Sequence, residues 1–225
     1  MRKVKSAPNR VEQVYAILRD SICDGTLSPG MHLVQEELAA QLEVSRQPVQ
    51  HAMLLLKADG LVIEHGARGL YVAPMEPENI VHHYQIRLQL DRLAAALVIE
   101  RLKAEDGGLG EQLKKQVEAL TVKGMAAQQA GDAAEAVRLD MEFHSLIYSF
   151  SGNPLIASAA EAHWNFLRRV MLSILLHAER GPQVWREHQE ILACLLAQDA
   201  AATDQKVTEH ILGAQAALLK ALGQH

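Results

Sequence analysis

Asp140 and His144 stand four residues apart in Leu139-Asp-Met-Glu-Phe-His144. On a helix, positions i and i+4 share a face, so this carboxylate and imidazole can reach one ion. His188 follows Trp185-Arg-Glu, and His210 follows Thr208-Glu. Apolar residues recur at helical spacing around both: Val184, Ile191 and Leu195 near the first, Val207, Ile211 and Ala214 near the second. That periodicity turns both rings toward an interior. One carboxylate with three imidazoles suits a divalent metal ion, Zn, Ni, Mn or Fe. The same set can activate water, so a metal-dependent enzyme is one alternative. It lacks a general base, because Glu142, Glu187 and Glu209 flank ligands in sequence and are expected to point elsewhere on their helices. A purely structural metal is a second alternative. A third is a set of hydrogen-bonded core histidines spaced by chance, since the chain carries 11 histidines.

Other chemistry lies near the N-terminus. Arg46 follows Ser45, a good N-cap, at the start of a periodic segment running to Ala58. An Arg fork at the start of such a helix can take guanine in the major groove, with Ser45 and Gln47 as phosphate or base partners. Downstream, His65-Gly-Ala-Arg-Gly69 separates Leu61-Val-Ile-Glu64 from Leu70-Tyr-Val-Ala73, two short β-prone runs. This reads as a hairpin whose tip carries His65, Gly66 and Arg68 to a minor groove or to phosphates. The alternative is a small domain for protein contacts with Arg46 as a solvated charge.

Positioning these groups takes two kinds of element. Ahead of the hairpin, helices are expected at about Arg10–Cys23, with Val11, Val14, Leu18 and Ile22 on one face, and at about Gln35–Leu42. The third, from Ser45 to Ala58, tolerates Pro48 in its first turn. Helix, short helix, turn, capped helix, hairpin is the order of a winged helix-turn-helix, assigned to residues 1–75. Pro74-Met-Glu-Pro77 is the expected linker. Beyond it the pattern is helical, with breaks at Asp106–Gly110, Gly124, Gly131, Gly152–Pro154, Gly181–Pro182 and Asp199. These divide residues 76–225 into an all-helical bundle of about six helices, so the fold class is mainly α. Asp132-Ala-Ala-Glu135 is a capping box opening one of them.

The composition agrees. Apolar residues make up 49% of the 225 and aromatics only 4%, enough for a helical core and too apolar for a disordered tail. Residues 1–75 balance eight Lys/Arg against eight Asp/Glu, so the whole net charge of -5 sits in residues 76–225. That excludes a uniformly basic nucleic-acid coat but not a local basic patch. Cys23 and Cys194 are the only cysteines, too few for a disulfide framework, and are read as small buried hydrophobes. Met1-Arg-Lys-Val-Lys-Ser-Ala-Pro8 has no apolar stretch after its charges, so no signal peptide is expected. Val170–Leu176 is far shorter than the ~20 residues of a membrane helix, and a cytoplasmic protein with no membrane partner is expected.

Gly25-Thr-Leu-Ser-Pro-Gly-Met-His-Leu33, Glu37-Leu-Ala-Ala-Gln-Leu-Glu-Val-Ser-Arg-Gln-Pro-Val49 and Leu55-Lys-Ala-Asp-Gly-Leu-Val62 resemble the GntR family of bacterial transcription regulators over most of residues 10–73. The resemblance implies sequence-specific binding of double-stranded DNA. There are departures. Gln50 stands where the family usually has Arg, followed by His51 where Glu is common. Gln50 can still read adenine, so a shifted operator preference is expected. Val34 replaces a frequent capping Ser or Thr, at a cost of ~1 kcal/mol.

Residues 79–222 are similar to the C-terminal FCD domain of the FadR-type subgroup, carried by Arg87-Leu-Gln-Leu-Asp-Arg-Leu-Ala-Ala95, by Asp140-x-x-Phe-His144 with Asn153-Pro154 after it, and by His188 and His210. The resemblance implies that Asp140, His144, His188 and His210 hold the metal. It implies that Arg87 faces a small carboxylate effector, which a guanidinium can take bidentately; the alternative for Arg87 is a surface ion pair with Asp91. His83, His163 and His177 could line the same cavity, though each alone reads as structural or exposed. Trp164, Phe166 and Trp185 are expected in the core, and Lys114, Lys115 and Glu118 on a solvated face. A homodimeric repressor is expected, each copy reading one half-site of a palindromic operator.

Overall fold

The computed structural model describes residues 10–66, 69–104, 108–175 and 181–223. The chain divides into two compact units, Met1–Met75 and Glu76–His225.

In the first unit, α1 (Arg10–Cys23) buries Val14, Leu18 and Ile22, and packs on α3 (Arg46–Ala58), which buries Val49, Ala52, Met53 and Leu56. Fully burying such side chains contributes ~1.5–3 kcal/mol each. The short α2 (Gln35–Gln41) lies between them in sequence and meets α3 through a tight turn in which Glu43 takes φ 53. The N-cap of α2, Val34, makes no side-chain cap hydrogen bond, as its type dictates.

Ser45 also makes none, although it occupies the N-cap of α3. The reason is local: Pro48 sits at the third helical position and has no N–H to offer a capping hydroxyl. The expected cap is therefore only positional.

The hairpin is β2 (Val62–Glu64) and β3 (Leu70–Val72), antiparallel with Val62 opposite Val72 and Glu64 opposite Leu70. A third strand, β1 (His32–Leu33), pairs with the other edge of β3, giving the order β1-β3-β2. Two residues are too few to carry a period, so it had no sequence signal. Gly69 is required where this edge closes: its φ is 105, and a Cβ there would stand 2.8 Å from His32 Nε2.

The described residues of the second unit form six helices: α4 (Pro77–Ala104), α5 (Gly108–Gln129), α6 (Ala133–Phe150), α7 (Pro154–Leu175), α8 (Gly181–Leu196) and α9 (Ala200–Leu222). Asp132 and Asp199 cap α6 and α9, each carboxylate accepting a backbone N–H three residues on. Gly124 does not break a helix. It lies inside α5, buried, and a Cβ there would sit 1.9 Å from the Trp185 ring of α8. The glycine serves helix packing.

The long α4 packs against α6, α7, α8 and α9. Its buried stripe runs Ile80, Tyr84, Arg87, Asp91, Ala94, Ala95, Val98. Two charged residues interrupt an otherwise apolar seam, and a buried charge is costly unless paired or put to use. Trp164, Phe166 and Trp185 are buried, and Lys114, Lys115 and Glu118 are exposed. Cys23 is buried, but Cys194 is only half-buried. No helix among the described residues is long and apolar enough to cross a membrane.

Candidate metal centre and nucleic-acid interface

Three helices bring the inward histidines to one point. Asp140 and His144 come from α6, His188 from α8 and His210 from α9, and one donor atom of each lies within 4.8 Å of every other. All three imidazoles are buried. His210 Nε2 stands 3.3 Å from His144 Nε2, and His188 Nε2 stands 3.3 Å from Asp140 Oδ1. The rings are held from outside. His144 Nδ1 meets Asp91 Oδ1 at 2.5 Å, and His210 Nδ1 meets Glu187 Oε2 at 2.7 Å. A neutral imidazole that donates Nδ1–H to a carboxylate keeps its Nε2 lone pair for the inside. Tyr148 donates to the other Asp91 oxygen at 2.8 Å and fixes that carboxylate in turn. Phe143 stacks on the His188 ring at 3.7 Å.

The electrostatics favour the ligand forms. Burial lowers the His188 imidazole to about 4 and holds His144 well below its usual value, with the Arg87 charge adding to the effect at His144. Burial alone would raise the Asp140 carboxyl, but His188, His144 and Arg87 outweigh it and hold it well below the carboxylate range. Neutral imidazoles beside an ionised carboxylate are what a divalent cation binds. Asp140 Oδ2 and both ring nitrogens of His188 are buried without a hydrogen-bond partner, and a cation among the four donors would give that oxygen and one of the two nitrogens a partner. The donor set therefore fits a divalent metal.

Arg87 is 2% exposed and Asp91 5%, so their i,i+4 ion pair, Nε to Oδ2 at 3.8 Å, is formed but buried, not at the surface. Arg87 Nη2 approaches His144 Nε2 at 2.7 Å and Asp140 Oδ2 at 3.9 Å. The guanidinium lies over the Trp164 ring at 4.3 Å, while its Nε and Nη1 have no hydrogen-bond partner. It stays charged because Tyr84, Asp91 and Asp140 outweigh the effect of burial. Arg87, Asp140 and His210 together line a cavity of about 290 Å³.

One expectation needs correction. Glu187 does not point away from the cluster, because it supports His210 from the neighbouring helix; Glu142 and Glu209 do point away, to Arg138 and Lys206. His83 and His163 are structural, as each alone reads, and are not among the cavity's lining residues. They face each other, Nδ1 to Nδ1 at 3.0 Å, with His83 stacked on Phe166. His177 lies outside the described residues. Sequence reasoning also passed over Asp91 and Tyr148 as supports of His144. The charged Asp91 on the apolar stripe of α4 was the available signal.

In the first unit, Ser45, Arg46, Gln47, Gln50 and His51 are all exposed along the first two turns of α3. Pro48 and Val49, between them, are buried, so the helix shows one polar face outward. His65 and Gly66 are exposed at the hairpin, and the His65 N–H donates to Gly69 O at 3.1 Å. Arg68 lies outside the described residues.

A model of the FCD domain matches residues 82–213, and a model described as bacterial regulatory proteins, gntR family, matches residues 10–72. The chain belongs to the GntR family. It is a transcriptional regulator with an N-terminal GntR DNA-binding domain and a C-terminal FCD domain. The HTH-type transcriptional regulator YdhC of Bacillus subtilis is 29% identical over 198 residues, covering 88% of this chain and 86% of that protein. The HTH-type transcriptional repressor RspR of Escherichia coli is 28% identical over 204 residues, covering 89% and 85%. The solved structure of E. coli McbR/YncC shares the fold, with a TM-score of 0.77 at 24% identity over 98% of this chain and all of that one. These relatives are regulators, not enzymes.

Proposed function

We propose that this regulator is a homodimeric repressor released from a palindromic operator by a small carboxylate bound beside a divalent metal ion. The observation that carries the reading is the convergence of Asp140, His144, His188 and His210 on one point, beside a cavity that Asp140, His210 and the buried Arg87 line together. Those four side chains would hold the ion, which would supply a Lewis-acidic site for one carboxylate oxygen. Arg87 binds the carboxylate through its fork. Arg87 Nη2 approaches His144 Nε2 at 2.7 Å, so a cation that took that nitrogen would leave Nη2 open to the acid as well.

In the first unit, Arg46, Gln47 and Gln50 read base edges, Ser45 and the start of α3 take phosphate, and His65, Gly66 and Arg68 form the wing contact. Two copies read two half-sites. The name of the E. coli relative RspR supports repression. The acid acts only through a difference in affinity between the DNA-bound and released states.

The test is a mobility-shift titration of the zinc-, nickel-, manganese- or iron-loaded chain on its upstream DNA, with a panel of carboxylic acids. The expected result is a salt-sensitive specific complex that one class of acid dissolves, with that response lost in His144→Ala and in Arg87→Gln. A complex whose response to acids survives both substitutions would refute the reading.

A further inference from the structure

The cavity beside Arg87 is built for a narrow class of acid. We infer that the effector is a small monocarboxylate with an apolar body, and not a dicarboxylate, a tricarboxylate or a sugar acid. This rests on the carboxylate site proposed above and specifies what it accepts.

The charge arrangement comes first. Arg87 is the single cationic side chain among the described residues of the lining, and it sits at the buried end with Asp140 and His210. The lining also reaches the α5–α6 turn, where Asp132 is exposed. Its carboxylate caps α6 by accepting the Glu135 N–H at 2.9 Å, which pins it at the rim. A ligand with one carboxylate on Arg87 and a second at its far end would bring that second charge toward Asp132, where like charges repel.

The walls come second. The lining also includes the apolar Val137, Met171, Val184, Trp185, Ala214 and Leu218. Val137, Met171, Trp185 and Leu218 are buried at 1, 6, 3 and 4% exposure. Tyr84 and Gln128 are the uncharged polar side chains of the lining, too few to meet every hydroxyl of a polyol that gives up its water there, whereas a hydrocarbon body gains contact with the apolar walls. The volume of about 290 Å³ lies at the small end of ligand pockets, which run from roughly 300 to 1,000 Å³.

The shape is also fixed. The Trp185 indole is locked against Gly124, where not even a methyl group would fit, and its edge meets the His188 ring at 5.1 Å. The wall cannot retreat to admit a longer or bulkier acid without disturbing the histidine behind it.

The experiment is a calorimetric and thermal-shift comparison on the zinc-loaded full chain. The probes are 4-methylpentanoate and 2-hydroxy-4-methylpentanoate against succinate, citrate and glucuronate. The branched monoacids are expected to bind about tenfold or more tightly than any of the others, and Arg87→Gln should abolish their binding. Asp132→Asn, which keeps a capping side chain, should narrow the gap by improving succinate. If succinate, citrate or glucuronate binds as well as the monoacids, with the same dependence on Arg87, the inference is overturned and the acid-sensing reading stands. If no acid of any class binds the loaded chain, both fall.

Discussion

Two of the four candidate metal-binding side chains owe their aim to residues that would never touch a metal. His144 and His210 each present Nε2 inward because a carboxylate, Asp91 or Glu187, holds Nδ1 from outside. Such supports set ring orientation and basicity, and losing one costs about 10–100-fold in metal affinity. Glu187 tests this cleanly. Its side chain is 19% exposed and borders a polar cleft of about 330 Å³, so water can take its place without leaving a dry hole. Glu187→Ala should weaken zinc binding within that range in a chelator-competition titration and leave the far-ultraviolet dichroism unchanged. An unchanged zinc affinity would show that His210 needs no outer carboxylate. Asp140, His144, His188 and His210 were legible in the sequence because helical spacing fixes which face a residue occupies. Glu187 was not. It adjoins His188 and is turned about 100° from it on a helix of 3.6 residues per turn. That rotation aims it at α9, and only the packing of α8 on α9 reveals that His210 stands there.

Helix ends were written in local chemistry, so they were readable: Asp132 and Asp199 cap α6 and α9, and Gly131 and Gly152 take positive φ at turns. Gly124 carries the same letter for a different reason, which only a neighbouring helix discloses. Its substitution weighs two effects against each other. Replacing a mid-helix glycine by alanine favours the helix by ~0.5–1 kcal/mol. The new methyl, however, would lie 1.9 to 2.4 Å from three Trp185 ring atoms, and overpacking of that kind costs ~1–3 kcal/mol or more. The clash wins. Gly124→Ala should lower the unfolding free energy in urea and shift the tryptophan emission of the folded protein. Because Trp185 also abuts His188, zinc affinity should fall in the same variant. A stabilised Gly124→Ala with unaltered emission would mean that α5 and α8 can slide apart freely. The strand β1 marks the opposite limit: its pairing with β3 is wholly tertiary, and His32-Leu33 offers no local cue.

The molecule as a whole distributes its charge and chromophores as unevenly as its chemistry. One apolar core joins α1, α2, α3 and the sheet in the first unit, while the candidate metal cluster and its cavity lie entirely in the second. A unit with its own core can unfold on its own. A cation bound to the second unit at 100 times its dissociation constant stabilises that unit by about 2.7 kcal/mol, and the first unit not at all. For a domain of roughly 150 residues this is a rise of about 5–10 °C. The sequence supplies a selective reporter, because both tryptophans, Trp164 and Trp185, belong to the second unit. Zinc should therefore raise the melting temperature read by tryptophan emission by several degrees. A second transition, visible in far-ultraviolet dichroism and attributable to the first unit, should stay in place. Operator DNA should move the two in the reverse pattern. His144→Ala should erase the zinc shift and spare the DNA shift, and Arg46→Ala should do the opposite. If zinc moves both transitions together in the wild-type chain, the units unfold as one, and coupling between the metal and the DNA-reading helix is built into the folded state before any acid binds.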